Sequence, residues 1–235
     1  MTIEQIKTSN GYPDSGVTPR RLRLGMVGGG EGAFIGGVHR IAARLDDRYT
    51  LVAGALSSDP ERAVQSALDL GISPDRAYGS YTDMAEQEAA REDGIDVVAV
   101  VTPNHVHHPV ATAFLERGIH VICDKPLSIS LDQAEDLVRC VHRNDLIFGL
   151  THNYTGYPMV RQAQAMVREG LLGKIRLLQA EYPQDWLTEP LEASGQKQAA
   201  WRTDPARSGP AGCVGDIGTH AYNLGVFISG LELSE

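Results

Sequence analysis

The feature that most constrains the fold is a glycine-rich loop set between a short apolar run and an amphipathic one. Leu22 to Val27 reads as a strand, and Gly28-Gly29-Gly30-Glu31-Gly32-Ala33-Phe34-Ile35-Gly36 follows it. Val38, Ile41, Ala42 and Leu45 then recur at i, i+3, i+4 and i+7, the period of a helix. In that order, the loop lets backbone N–H groups approach a pyrophosphate at a helix N-terminus, where the helix dipole favours an anion. Gly28-x-Gly30-x-x-Ala33 fits the dinucleotide fingerprint, while Gly36 competes for the place that packs at the helix start and lengthens the loop. A plain glycine turn has the same composition, and the strand–loop–helix context is what favours a phosphate site.

After this loop, strands and helices alternate. Thr50 to Leu56 is a second strand, and Asp59-Pro60 opens a helix with Ala63, Val64, Ala67, Leu68 and Leu70 on its buried side. Ile95 to Val101 is apolar almost throughout, as a strand covered on both faces must be. Pro109 is expected to open the next helix, His120 to Cys123 is a strand, Ser130 with Gln133 reads as a capping box, and Leu146 to Leu150 closes the series. Such alternation predicts an α/β Rossmann fold, a doubly wound parallel sheet, over 21–150. From Thr151 the rhythm changes. A helix over Pro158 to Glu169 precedes Lys174 to Tyr182, which alternates like a one-sided strand, and a last helix runs from about Asp216 to Ser229. One strand makes no sheet, so 151–235 reads as the beginning of an α+β domain with an open-faced antiparallel sheet, incomplete here. Ile175, Leu177 and Leu178 would then face solvent or another chain. Residues 1–20 lack periodicity and read as a mobile leader.

Charge and cysteines exclude several classes. Twenty-one Lys+Arg against thirty Asp+Glu give a net charge of −9 with no basic run, which argues against nucleic acid or an anionic membrane as partner. No apolar stretch approaches the ~20 residues of a membrane span. Cys123, Cys140 and Cys213 are odd in number and far apart, which fits a reducing cytoplasm. Arg20-Arg21 before an apolar run faintly resembles a twin-arginine export signal, but Glu31 interrupts the run and no cleavage site follows.

Four further constellations lie at strand ends or on one helix face. Where a dinucleotide sheet usually sets an acidic residue on the ribose 2′-OH stands Ser57, with Arg62 one helical turn on, so a 2′-phosphate is tolerated there; a simple turn and cap is the equal alternative. Thr102-Pro103-Asn104-His105-Val106-His107-His108 ends the buried strand, and the loop is expected to line a nicotinamide pocket while its histidines cap or cover the following helix; they lack the carboxylate or Cys that a metal site needs. Cys123-Asp124-Lys125-Pro126 puts a Lys where it can stabilise charge on a substrate oxygen. Gly215-Asp216-Ile217-Gly218-Thr219-His220 sets Asp216 and His220 at i and i+4, the spacing at which a carboxylate can orient a general-base imidazole.

Taken together, the Gly28 to Gly36 loop, Thr102-Pro103-Asn104 with His107, Asp124-Lys125-Pro126, Trp201-Arg202 and Asp216 through His220 resemble the Gfo/Idh/MocA oxidoreductases over essentially the whole chain after Arg20. The family's Glu-Lys-Pro is Asp-Lys-Pro here, the loop is longer, and the acidic residue after strand two is missing. The resemblance implies hydride transfer between a nicotinamide (NAD or NADP) and a secondary alcohol carbon of a sugar, cyclitol or sugar derivative. It implies His220 as general acid/base, Lys125 as the polarising hydrogen bond and Asp216 as orienter of the His. It implies a cofactor held by Gly28, Gly30, Ala33, Phe34, Ile35, Ser57, Arg62, Thr102, Pro103, Asn104, His107, Asp124 and Lys125. It also implies Asn153, Tyr154, Tyr157, Trp201 and Arg202 around a polyhydroxylated substrate, no metal, and a homo-oligomeric full-length protein. An NAD-dependent glycosidase of the same fold and a non-catalytic nucleotide-binding protein are the two rivals.

Overall fold

The structure, a computed structural model, describes residues 20–234. The leader expected over 1–20 lies, but for Arg20, outside the described residues. Five strands form one parallel sheet: β1 (Leu22–Gly28), β2 (Tyr49–Ala55), β3 (Val97–Val101), β4 (His120–Asp124) and β5 (Phe148–Thr151), in the order β2-β1-β3-β4-β5. Every adjacent pair is parallel. A single parallel bridge from Gly54 to Ala77 adds the stub of a further strand outside β2. β3 is buried along its whole length, as its unbroken apolar run requires.

Helices α1 (Phe34–Leu45) and α2 (Pro60–Asp69) flank one face. Helices α3 (Tyr81–Ala90), α4 (Asn104–Leu115) and α5 (Leu131–Asn144) flank the other. The larger core gathers Val98, Val100, Val121, Phe114 and Leu137 beneath α3 to α5, and a smaller one gathers Leu24, Met26, Val101, Leu56 and Ala67 beneath α1 and α2. Asp59 caps α2, its carboxylate accepting from the Arg62 amide at 2.8 Å.

Three expectations need correction. The apolar period of α1 does not face the sheet: Val38, Ile41 and Leu45 are 42%, 55% and 77% exposed. The cause is Gly36, packed so tightly on the loop that a Cβ there would stand 2.4 Å from the Gly29 Cα. That contact fixes Gly36 and, one and two turns on, Arg40 and Ala43 on the inner side, and so rotates the stripe outward. Pro109 lies inside α4 instead of opening it, because the burial of Asn104 and His107 holds the preceding turn in helix despite the lost hydrogen bond. Lys174 to Tyr182 forms no ladder: the described residues offer it no neighbouring strand, and Leu177 is 84% exposed.

Beyond β5 come α6 (Pro158–Arg168), two short helices α7 (Lys197–Arg202) and α8 (Pro205–Ser208), a π-helical turn over Val214–Gly218, and α9 (Thr219–Ser229). α6 packs along α9, where the Gln164 amide donates to the Phe227 carbonyl at 2.9 Å.

Candidate active site

Parallel strands bring all their C-terminal ends to one edge, and the chemistry-bearing loops gather there. The glycine loop leaves β1 with Gly28 and Gly29 at φ values of +80° and +75°, which only glycine adopts without strain. At Gly30 a Cβ would stand 2.7 Å from the Leu56 carbonyl oxygen. The Arg40 guanidinium braces the loop by donating to the Gly29 carbonyl at 2.7 Å. Ala33, at the N-cap of α1, offers no side-chain cap, so the first-turn amides of Phe34 and Ile35 have no capping side chain to bind. A loop pressed so closely on β3 and the end of β2 that Gly28, Gly29 and Gly30 admit no Cβ, and open at a helix N-terminus, fits the pyrophosphate of a dinucleotide.

At the end of β4 stand Asp124 and Lys125, with a cis peptide bond between Lys125 and Pro126. Thr151, paired with Asp124 across β4 and β5, donates its hydroxyl to the Asp124 carboxylate at 2.9 Å, and the Lys125 amide donates to the same oxygen at 3.0 Å. The Lys125 ammonium crosses to the π-helical turn, where it donates to the Asp216 carbonyl at 2.8 Å and to the Asp216 carboxylate. Arg202 reaches the other carboxylate oxygen through Nε at 2.9 Å and lies over the Trp201 ring, 4.1 Å from its centroid. Burial pushes the Asp216 carboxyl up, but Lys125 and Arg202 outweigh it and hold the group below the usual carboxylate range.

Asp216 therefore does not orient His220, contrary to the i, i+4 reading. Both its oxygens are committed to cations from other elements, which a carboxylate prefers to a neutral imidazole. His220 is held by aromatic rings instead. Tyr154 lies edge-on to it at 4.6 Å between centroids, with His152 at 6.0 Å and Tyr182 at 6.2 Å. Burial first, then the Lys125 and His152 charges, lower its pKa to about 4, so the ring is neutral at pH 7. A neutral imidazole keeps one ring nitrogen free as an acceptor, which a group that takes a proton from a hydroxyl needs.

Other expected residues are distributed unevenly. Tyr154 belongs to the wall, its hydroxyl bonded to that of Tyr182. Asn153 and Tyr157 are exposed near it, and Trp201 is buried beneath Arg202. Ser57 accepts from the Asp59 amide at 3.1 Å, which realises the turn reading, and Arg62 is exposed rather than turned inward. Thr102 and Pro103 sit at the end of β3, where the hydroxyl oxygen of Thr102 is buried without a partner. Asn104 is buried, and its side-chain amide donates to the Ser208 carbonyl at 3.1 Å. His107 is fully buried too, between the Thr102 and Pro126 carbonyls, in line with a histidine that covers the following helix. Both are pulled inward because the first turns of α4 pack under the loops. Sequence reasoning missed His152 and Tyr182. The first follows β5 at the ligand-binding edge, a position that marks it, whereas Tyr182 was absorbed into the expected strand. Among the described residues, no group of three or more His, Cys, Asp and Glu is placed to hold a metal ion, and no helix is long and apolar enough to cross a membrane.

A parallel dinucleotide-type sheet with a glycine loop opening onto a helix N-terminus at its ligand-binding edge defines the class of nucleotide-binding α/β proteins. The comparisons narrow it. Residues 22–164 match the family model described as "Oxidoreductase family, NAD-binding Rossmann fold", and residues 160–235 match the "GFO/IDH/MocA C-terminal domain". The chain belongs to the Gfo/Idh/MocA oxidoreductase family. It is 36% identical over 216 residues to "Uncharacterized oxidoreductase YfiI" of Bacillus subtilis, covering 90% of this chain and 54% of that protein. An oxidoreductase structure from Sinorhizobium meliloti is similar at 55% identity and a TM-score of 0.78, over 92% of this chain and 54% of the other. An inositol dehydrogenase homolog from Azotobacter vinelandii, solved with NADH and myo-inositol, is similar at 39% identity and a TM-score of 0.82, over 89% of this chain and 52% of the other. The chain thus spans about half the length of the relatives it matches.

Proposed function

We propose that the protein to which this chain belongs oxidises a secondary alcohol of a sugar, cyclitol or sugar derivative with a nicotinamide dinucleotide. The observation that carries the reading is the gathering of Lys125, Asp216 and His220 beyond the C-terminal edge of the sheet, with Lys125 bonded to Asp216 and His220 one helical turn on. The cradle of Gly28, Gly30, Ala33, Phe34 and Ile35 would hold the pyrophosphate, and a bound nicotinamide supplies the hydride acceptor. His220 takes the hydroxyl proton on a ring nitrogen, and Lys125 Nζ holds the same oxygen as its carbon flattens toward a carbonyl. Asp216 keeps Lys125 in place, and Lys125 with Arg202 keeps Asp216 charged; neither Asp216 nor Arg202 is hydrogen-bonded to the His. Tyr154, Tyr157 and Tyr182 give the aromatic floor that sugar and cyclitol rings favour, with Asn153 at its rim. The likeness to a structure solved with NADH and myo-inositol supports the substrate class.

The test is a panel of sugars and cyclitols with NAD and NADP on the full-length protein, read by nicotinamide absorbance. Net reduction with a polyol is the expected result. Sugar release without net absorbance change would assign a redox-neutral glycosidase, and nucleotide binding with no reaction would assign a non-catalytic protein. Either outcome overturns the proposal.

A further inference from the structure

Pro126 has no N–H, so its carbonyl is the one backbone group through which hydrogen bonding can anchor it. His107 takes that carbonyl. Its Nδ1 lies 2.7 Å from the Pro126 oxygen, and its Nε2 lies 2.8 Å from the Thr102 oxygen at the end of β3. Both partners are acceptors, and burial lowers the pKa of the ring and keeps it neutral with a single N–H, so one nitrogen donates and the other turns its lone pair toward a carbonyl. The side chain is wholly shielded from solvent, in a site where losing such a bond strands a desolvated carbonyl. On the other side of Lys125, Asp124 is fixed by the Thr151 hydroxyl. Lys125 therefore sits between two anchored residues, Asp124 tied to β5 and Pro126 tied to α4.

We infer that His107 is a positioning residue: by donating its one N–H from Nδ1, the nitrogen of the shorter contact, to the Pro126 carbonyl it sets where Lys125 presents its ammonium. The inference rests on the role proposed for Lys125. His107 presents no accessible surface, so its loss should act on turnover through Lys125 and leave nucleotide binding alone.

Two variants separate the nitrogens. Asn carries its amide nitrogen on Cγ, as His carries Nδ1, and Gln carries its own one bond further out, as His carries Nε2. In the full-length protein, His107→Asn should retain kcat within a few-fold. His107→Gln should lose about tenfold to a hundredfold in kcat, the scale of a misplacement of about 1 Å, with the KM for the nicotinamide and the binding of the reduced cofactor unchanged. Equal losses in the two variants, or a loss confined to cofactor KM, would overturn the inference. Should either variant fail to fold, the imidazole nitrogen resonances of the wild-type protein decide it: a protonated Nδ1 sustains the inference and a bare Nδ1 removes it. Lys125→Ala separates this from the underlying reading. If it turns over like wild type, the role of Lys125 fails and the inference falls with it. If it is crippled while the Asn and Gln variants behave alike, only the inference about His107 fails.

Discussion

The pair between Lys125 and Asp216 is the contact on which the site's geometry depends, and a double-mutant cycle measures it. The side chains are 13% and 12% exposed, and Arg202, bonded to the other carboxylate oxygen, is 25% exposed. Pairs in open solvent couple by roughly 0.2–1 kcal/mol. Shielded hydrogen bonds to charged groups are worth about 1.5–3 kcal/mol, and the Lys125–Asp216 contact belongs with these. Asp216→Asn keeps the main-chain carbonyl that also accepts from Lys125, so it removes only the carboxylate share. Lys125→Met keeps most of the stem and removes the ammonium. Asp216→Asn alone is expected to cost about 3 kcal/mol, since it strands two partly buried cations. The double variant should recover part of that loss, giving a coupling of about 1.5–3 kcal/mol from urea unfolding of the four full-length proteins. A coupling below about 0.5 kcal/mol would place the pair with surface contacts and refute the idea that Asp216 holds Lys125.

Three other outcomes follow. Protonation of His220 disables it as a base, and its pKa is lowered to about 4, so the acid limb of kcat/KM should lie near pH 4 and not near the ordinary histidine value of about 6.5. In Lys125→Met the limb should move upward, because a neighbouring positive charge that disfavours protonation is gone; a wild-type limb near pH 6.5 contradicts this. Glu88, wholly buried, accepts from Arg76, from the Tyr78 hydroxyl at 2.8 Å and from the Ile95 amide at 3.1 Å; Glu88→Ala should lower unfolding stability by about 3–5 kcal/mol, and a loss under about 1 kcal/mol would show the network to be dispensable. With Ser57 where an acidic residue selects NAD, the protein should accept both NAD and NADP, and Ser57→Asp should shift the kcat/KM ratio toward NAD by about tenfold, one charged contact's worth; an unmoved ratio would put the selecting residue elsewhere.

The parallel sheet was legible because its signals are local. The glycine loop, the wholly apolar β3 and the Asp59 cap each state their own conformation, and parallel strands then deliver their loops to one edge without further information. Which side chains meet there was less legible. The i, i+4 spacing of Asp216 and His220 promised a dyad, but ionic partners arriving from β4 and α7 took the carboxylate, and no spacing within one helix reports on them. The amphipathic period of α1 misled for a similar reason, since one glycine contact with the loop outweighs the burial that four apolar side chains would gain. The histidines after β3 read as cover for the following helix, and His107 is buried there, but no spacing in the sequence shows that its ring lies between the Thr102 and Pro126 carbonyls. The expected strand over Lys174 to Tyr182 has the right alternation, yet a strand is defined by its neighbours, and the described residues contain none for it.

The central claim is that hydride leaves a carbinol carbon for the nicotinamide under the control of His220 and Lys125. It is tested most directly by supplying the full-length protein with a polyol deuterated at the reacting carbon and following the label. The account predicts deuterium in the reduced nicotinamide, appearing about 10² times more slowly in Lys125→Ala while that variant still binds the cofactor. Deuterium that stays on the sugar or washes into solvent, or transfer at the wild-type rate in Lys125→Ala, would contradict it.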